Sequence, residues 1–225
     1  MHVWNFQPVW AHADLLVLGL ANTLKVTAAA LFFGMPLGLT LALMRLSQAK
    51  VFKWPSSLVI EVFRTTPPLV QLFWFFFALP ILVNVEMTPY IAAVLTFSIQ
   101  SAAFFAEVFR AGIESVEKGQ REAGQALGIK PAQVMTRVVL PQAIKRMIPA
   151  FLERAIELMK TTTLVATVSY ADLLFQTNEV AQKTFRPLEV FTVTALIYFS
   201  VIFVASKIVN HLEHKFAITG EGTVR

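Results

Sequence analysis

Cysteine is absent from these 225 residues, which excludes disulfides and thiolate chemistry. Charge is sparse: 15% of the residues are Asp, Glu, Lys or Arg against 56% hydrophobic, and the mean hydropathy is +0.63. A soluble surface needs more charge than this, so lipid is the expected solvent. Tyrosine is scarce beside phenylalanine, three against twenty, as expected for rings set against acyl chains or helix neighbours. Trp4, Trp10, Trp54 and Trp74 are candidate interface anchors. The first fourteen residues lack Lys and Arg, and with them the basic flank of a cleavable signal peptide. The N-terminus is therefore expected to stay as a short tail. A phosphate-binding loop is missing too: Gly119 and Gly124 have the glycine spacing, but Gln125-Ala126 follow where Lys and Ser/Thr would be needed.

What is present is long apolar runs. A span needs about 20 mostly apolar residues to cross roughly 30 Å of hydrocarbon. Five stretches qualify, at 15–44, 55–79, 89–109, 148–168 and 188–209. The expected fold is an all-α integral membrane protein of five transmembrane helices, a single domain over 1–225. In the first stretch Gly19, Gly34, Pro36 and Gly38 allow close packing or a bend. Pro67 and Pro68 remove two backbone donors from the second, which predicts a structural kink or unwinding near Thr65 and Thr66. The fourth carries Glu153, Arg154, Glu157 and Lys160, so it should face protein or water rather than lipid.

Basic residues give the expected orientation. Arg45, Lys50 and Lys53 follow the first stretch, and Arg110, Lys118, Arg121, Lys130, Arg137, Lys145 and Arg146 follow the third. Lys207, Lys215 and Arg225 close the chain, while the opposite side holds only Lys183 and Arg186. Positive residues inside place the N-terminus outside and the C-terminus in the cytoplasm. The net charge of +5 is thereby topological, and no nucleic-acid partner is expected.

Segment 111–145 is polar, helix-forming and punctuated. Gly119 can open a short helix and Gly128 close it, Pro131 suits the first turn of a second, and Pro141 is expected to bend or stop that one. Ala123, Ala126 and Leu127 lie on one stripe with Glu122 at its edge, a shape suited to protein docking or to resting on lipid headgroups.

Glu122-Ala123-Gly124, Gly128 four residues on, and Val138-Val139-Leu140-Pro141 resemble the EAA loop of binding-protein-dependent ABC importer permeases. The spacing matches; Gly124 replaces an alanine and Val138 an isoleucine, and glycine should weaken the short helix by up to about 1 kcal/mol. Arg64-Thr65-Thr66-Pro67-Pro68-Leu69-Val70-Gln71, Ala106-Glu107-Val108-Phe109-Arg110-Ala111-Gly112-Ile113, Lys118-Gly119-Gln120, Thr184-Phe185-Arg186-Pro187 and Leu212-Glu213 are similar to segments of the polar amino acid branch. The resemblance implies a type I importer transmembrane domain in the bacterial cytoplasmic (inner) membrane. It also implies a second copy or paralogous permease subunit, two ATP-binding subunits that hold ATP and Mg, and an external or periplasmic solute-binding protein. The coupling helix would meet the ATPase through Gly119, Glu122, Ala123, Gly124, Ala126, Leu127 and Gly128, with Leu140 and Pro141 beyond. This chain needs no cofactor of its own.

Glu153 and Glu157 are four residues apart and Lys160 three further, broadly on one helical face. Lys160 and Glu157 suit the carboxylate and ammonium of an amino acid, with Thr161 and Thr162 as neutral partners; equally, Arg154, Glu157 and Lys160 can neutralise one another. Gln100 and Ser101 on the third stretch are the expected facing groups. The resembled permeases usually show Lys-Asp-Thr/Ser-Ser-Leu where this chain has Lys160-Thr161-Thr162-Thr163-Leu164, and Asn and Ser where it has Glu153 and Glu157. Glu107 and Arg110 suit a structural ion pair, Lys25 can snorkel outwards, and Arg64 is placed as a support for the broken backbone. His211 and His214 lack further ligands for a metal. The alternative to an importer subunit is an ion-coupled carrier or channel acting alone, for which inverted repeats and more spans are expected. A membrane enzyme finds no nucleophile with its base.

Overall fold

Proline sets the joints of this chain. The structure, a computed structural model, describes residues 3–216, and every regular element among them is helical. The order is α1 (Gln7–Trp10), α2 (Ala13–Leu46), α3 (Lys50–Thr65), α4 (Pro68–Phe73), α5 (Leu79–Val83), α6 (Pro89–Glu114), α7 (Lys118–Ala126), α8 (Pro131–Val134), α9 (Leu140–Thr161), α10 (Leu173–Thr184) and α11 (Pro187–Phe216). Arg225 and the side chains of Leu212, Glu213, His214 and Lys215 lie outside the described residues.

Three helices, α2, α6 and α11, are long and apolar enough to cross a membrane. The expected second span is different in kind. It divides into Lys50–Thr65 and Pro68–Val83, bent by 109°. Thr66 and Pro67 are extended between the halves, since each residue before a proline is driven out of the helical region. The break falls where the double proline places it, but the angle makes it a turn rather than a kink. The expected fourth span, α9, is too charged to count on apolar grounds, and its helical run begins earlier than 148.

Pro141 does not stop the second helix of the loop. A π turn, Met135–Val139, joins α8 to α9, and a 3-10 turn, Thr162–Val168, continues from α9, so 131–168 is one helical run. The missing N–H and the ring of Pro141 would disrupt an α ladder one turn back, and the wider π turn lies at that place. The same device precedes Pro80, where Trp74–Ala78 is a π turn.

α2 and α6 form the most extensive helix pair. Gly34 and Gly38 of α2, one turn apart, let the backbones approach: an added Cβ would stand 2.9 Å from Ser101 Cβ and 2.7 Å from Phe105 Cβ. Val26, Ala30, Phe97, Leu158 and Val165 bury a core that unites α2, α6, α9 and the 3-10 turn. Phe97 and Phe105 are buried, whereas Phe32, Phe199 and Phe203 are exposed on the outer faces of α2 and α11. The loop before α10 is pinned to α2, as Asn22 Nδ2 donates to the Ala171 carbonyl at 2.8 Å and Leu173 N to Thr23 Oγ1 at 3.1 Å. Fully buried Asp172 caps α10 by accepting from Phe175 N at 2.8 Å, and burial pushes its carboxyl up to about 6.

Candidate functional site: an exposed elbow and a charged cavity

The loop folds back on its own core. Ile113, Val116, Val134, Val139 and Met147 bury one another beneath α7. Gly128, at φ +73°, ends α7 in the left-handed conformation, with Gly128 N bonded to Gln125 O at 2.9 Å and Ile129 N to Gly124 O at 3.1 Å. Arg121 donates to the Ile113 carbonyl and Arg146 to the Ser115 carbonyl, which ties α7 and α9 to the end of α6. Gly124 faces inward; a Cβ there would come 2.9 Å from Val134 Cγ2. The glycine therefore permits α7 to sit on Val134, which sets close packing against its low helix propensity.

The other residues assigned to docking face out. Gly119, Glu122, Ala123, Ala126, Leu127, Gly128, Leu140 and Pro141 are all exposed, and Leu127 is 80% exposed. Small side chains on one side of a short helix, with a carboxylate at the edge, leave a surface that another protein can approach closely.

A cavity of about 110 Å³ lies between α6 and α9, closed on its third side by the break between α3 and α4. Gln100, Ser101, Glu157 and Thr161 line it together. Lys160 and Glu153 do not join them; with Glu157 they border an outer cleft against Ser206 and Val209 of α11. Thr162 is buried elsewhere, bonded to the Met159 carbonyl at 2.8 Å and to Thr27 Oγ1 at 3.3 Å. Arg154 pairs with Glu157, and Lys160 takes no part in that ion pair.

The cavity also holds residues that sequence reasoning placed elsewhere or passed over. Arg64 lines it instead of supporting the broken backbone. That support comes from buried Gln71, whose Nε2 donates to the carbonyls of Phe63 at 3.0 Å and Thr66 at 2.9 Å. Phe104 forms one wall, with the Arg154 guanidinium 3.5 Å and the Arg64 guanidinium 5.8 Å from its ring centroid. A signal for Phe104 existed: it follows Gln100 by four residues on the same helical face.

Behind the cavity, Glu107 is the hub of an ion-pair network. Its Oε1 takes Arg45 and its Oε2 takes Arg110 at 2.7 Å, with Arg64 at 3.7 Å. The Glu107–Arg110 pair is thus present, and through Arg45 the same Glu107 also ties α6 to the end of α2. Lys25 lies 4.9 Å over the Tyr90 ring.

Comparison with known proteins agrees with this architecture. Residues 34–218 match the family described as binding-protein-dependent transport system inner membrane component. The chain is 34% identical over 211 residues to the arginine transport system permease protein ArtQ of Bacillus subtilis (strain 168), covering 94% of this chain and 96% of that one. It is 33% identical over 224 residues to the glutamate/aspartate import permease protein GltK of Escherichia coli O6:H1, covering 96% and 100%. A solved structure described as the crystal structure of an amino acid ABC transporter with histidines superposes with a TM-score of 0.91 at 34% identity, covering 95% of this chain and 100% of that one. The chain belongs to the family of binding-protein-dependent transport system inner membrane components, and is a multi-pass permease subunit whose ATP hydrolysis is carried by a separate chain.

Proposed function

We propose that this chain forms the translocation pathway for a polar amino acid or amino-acid derivative in an ATP-driven importer, and that α7 couples it to the ATPase. The observation that carries this reading is the outward face of α7, with Glu122, Ala123 and Ala126 exposed while Gly124 locks the helix onto Val134. A helix held so firmly on its inner side and so bare on its outer side suits transmission of force to a partner. The working assembly would contain two permease subunits, either identical or paralogous, two ATP-binding subunits and an external solute-binding protein. The elbow would lie within segment 111–145 on the cytoplasmic side, with five spans, the N-terminus outside and the C-terminus inside.

The solute path would pass the cavity lined by Gln100, Ser101, Glu157 and Thr161. An amino-acid cargo follows from relatives named for arginine and for glutamate and aspartate. Nothing in the geometry favours a carrier acting alone. The test is uptake by vesicles holding the reconstituted complex: transport should require ATP, and Glu122→Lys should abolish both uptake and retention of the ATPase. Uptake without nucleotide, or unchanged uptake in Glu122→Lys, would overturn the proposal.

A further inference from the structure

The elbow between α2 and α3 lies at a membrane boundary. α2 has 34 residues and is about 50 Å long, against roughly 30 Å of hydrocarbon, so its ends reach the headgroup layers. We propose that the cleft in this elbow binds the headgroup of an anionic phospholipid, with Lys50 and Lys53 holding the phosphate and Trp54 anchoring the site at headgroup level. This role needs only a chain that spans a membrane, and it goes beyond the translocation reading above.

The helical period sorts α3 into three faces. Ser56 and Ile60 are buried, Ile60 in a core with Leu41, Ala42, Ala102 and Ala106. Val51, Leu58 and Val62 are exposed on a second face and suit acyl chains. Lys50, Lys53, Trp54 and Ser57 lie on the third, at spacings of three and four residues. With Ser47 and Gln48 of the elbow they line an open cleft of about 830 Å³.

No acid lines this cleft. Among the described residues Lys50 and Lys53 take part in no ion pair, and Glu61, one turn beyond Ser57 on the same face, is turned to Arg45 at 3.7 Å. A helix N-terminus favours negative charge, yet α3 has no acid in its first turn and its N-cap, Ala49, supplies no side-chain acceptor. An anion in the cleft offsets both the lysines and the helix end. A phosphodiester accepts from the two ammoniums, and a neutral glycerol headgroup can bond Ser47, Gln48 and Ser57. Phosphatidylethanolamine would instead set its own ammonium beside the lysines, which repel it. Trp54 is 72% exposed, and an indole, apolar with one N–H donor, suits the boundary between headgroups and acyl chains.

Native mass spectrometry of the detergent-purified complex with its ATPase reads lipid retention directly. After equilibration with equal amounts of phosphatidylglycerol and phosphatidylethanolamine bearing the same chains, phosphatidylglycerol should be retained at least about tenfold more. Each lysine near an anionic lipid surface is worth about fivefold in binding, so Lys50→Gln/Lys53→Gln should bring the two lipids within about twofold of one another. Lys130→Gln/Arg137→Gln removes the same charge from exposed positions of the 111–145 loop and should leave the preference intact. Equal retention of the two lipids by the wild-type complex overturns the proposal. So does a preference that persists in an assembled Lys50→Gln/Lys53→Gln complex, or one lost as fully in Lys130→Gln/Arg137→Gln, which would report net charge in place of a site. Displacement of phosphatidylglycerol by excess glycerol 3-phosphate would show that the cleft takes soluble phosphates, and overturns the lipid assignment.

Discussion

Two interruptions of the helical chain are closed in opposite ways. Between α3 and α4 the buried Gln71 amide donates to the carbonyls of Phe63 and Thr66, whereas before α10 the buried Asp172 carboxylate accepts from Phe175 N. Each end receives what it lacks: a helix C-terminus presents orphan carbonyls and needs donors, and an N-terminus presents orphan N–H groups and needs an acceptor. An amide keeps its character at every pH, while a carboxylate titrates. The break beside the cavity is therefore closed by a pH-indifferent group, and the one against α2 by a group that responds to protons.

Removing the amide should have the largest effect. Gln71→Leu leaves both carbonyls without this donor in a buried site and is expected to destabilise by about 2–5 kcal/mol, read by thermal unfolding of the purified complex. The loss should be the same at pH 4 and pH 8; a strong difference would mean that a titrating group also holds this break.

At the other interruption the sign reverses. The folded state holds the Asp172 carboxyl at about 6 against an ordinary 3.8, so it favours the proton more than the unfolded chain does. Stability from this group is greatest below pH 4, declines as pH rises to about 6, and is level above that. Asparagine caps a helix as well as aspartate does. Asp172→Asn should therefore raise stability by up to about 3 kcal/mol at pH 8 and change little at pH 4. Equal effects at the two pH values would show that burial does not penalise the charged carboxyl.

The smallest effect belongs to a proline that causes no interruption. Pro141 follows the π turn of 135–139, and Pro141→Ala restores one backbone donor to a ladder already adapted to its absence. The change in unfolding free energy should stay under about 1 kcal/mol, with slower hydrogen exchange around residue 140 as the sign that the ladder has closed. A cost as large as that of Gln71→Leu would show that the π turn depends on the proline ring.

These joints mark the limit of what the sequence discloses. Runs of apolar residues revealed α2, α6 and α11 to within a few residues, and the double proline located the first break. The 109° angle did not follow, because proline fixes where a helix ends but packing decides where the next one goes. Pro141 misled for a related reason, since an α ladder was assumed where a π turn relieves the clash. In α9, residues 153, 157 and 160 make one stripe and 154, 157 and 161 another, with Glu157 shared. Periodicity allows both; only contact with α6 turns the second toward the cavity and leaves Lys160 outside. Gln71 took the role expected of Arg64 because both flank the same prolines, and only the folded backbone decides which one reaches its carbonyls.

The unbroken helical run of 131–168 has a further consequence. Val134, beneath Gly124, and Glu157, at the cavity, stand on one helical run, about 35 Å apart by helical rise. The π turn of 135–139, Pro141 and Pro149 lie between them, the features at which helices bend, so movement of the elbow can be absorbed or redirected at these joints before it reaches the cavity wall.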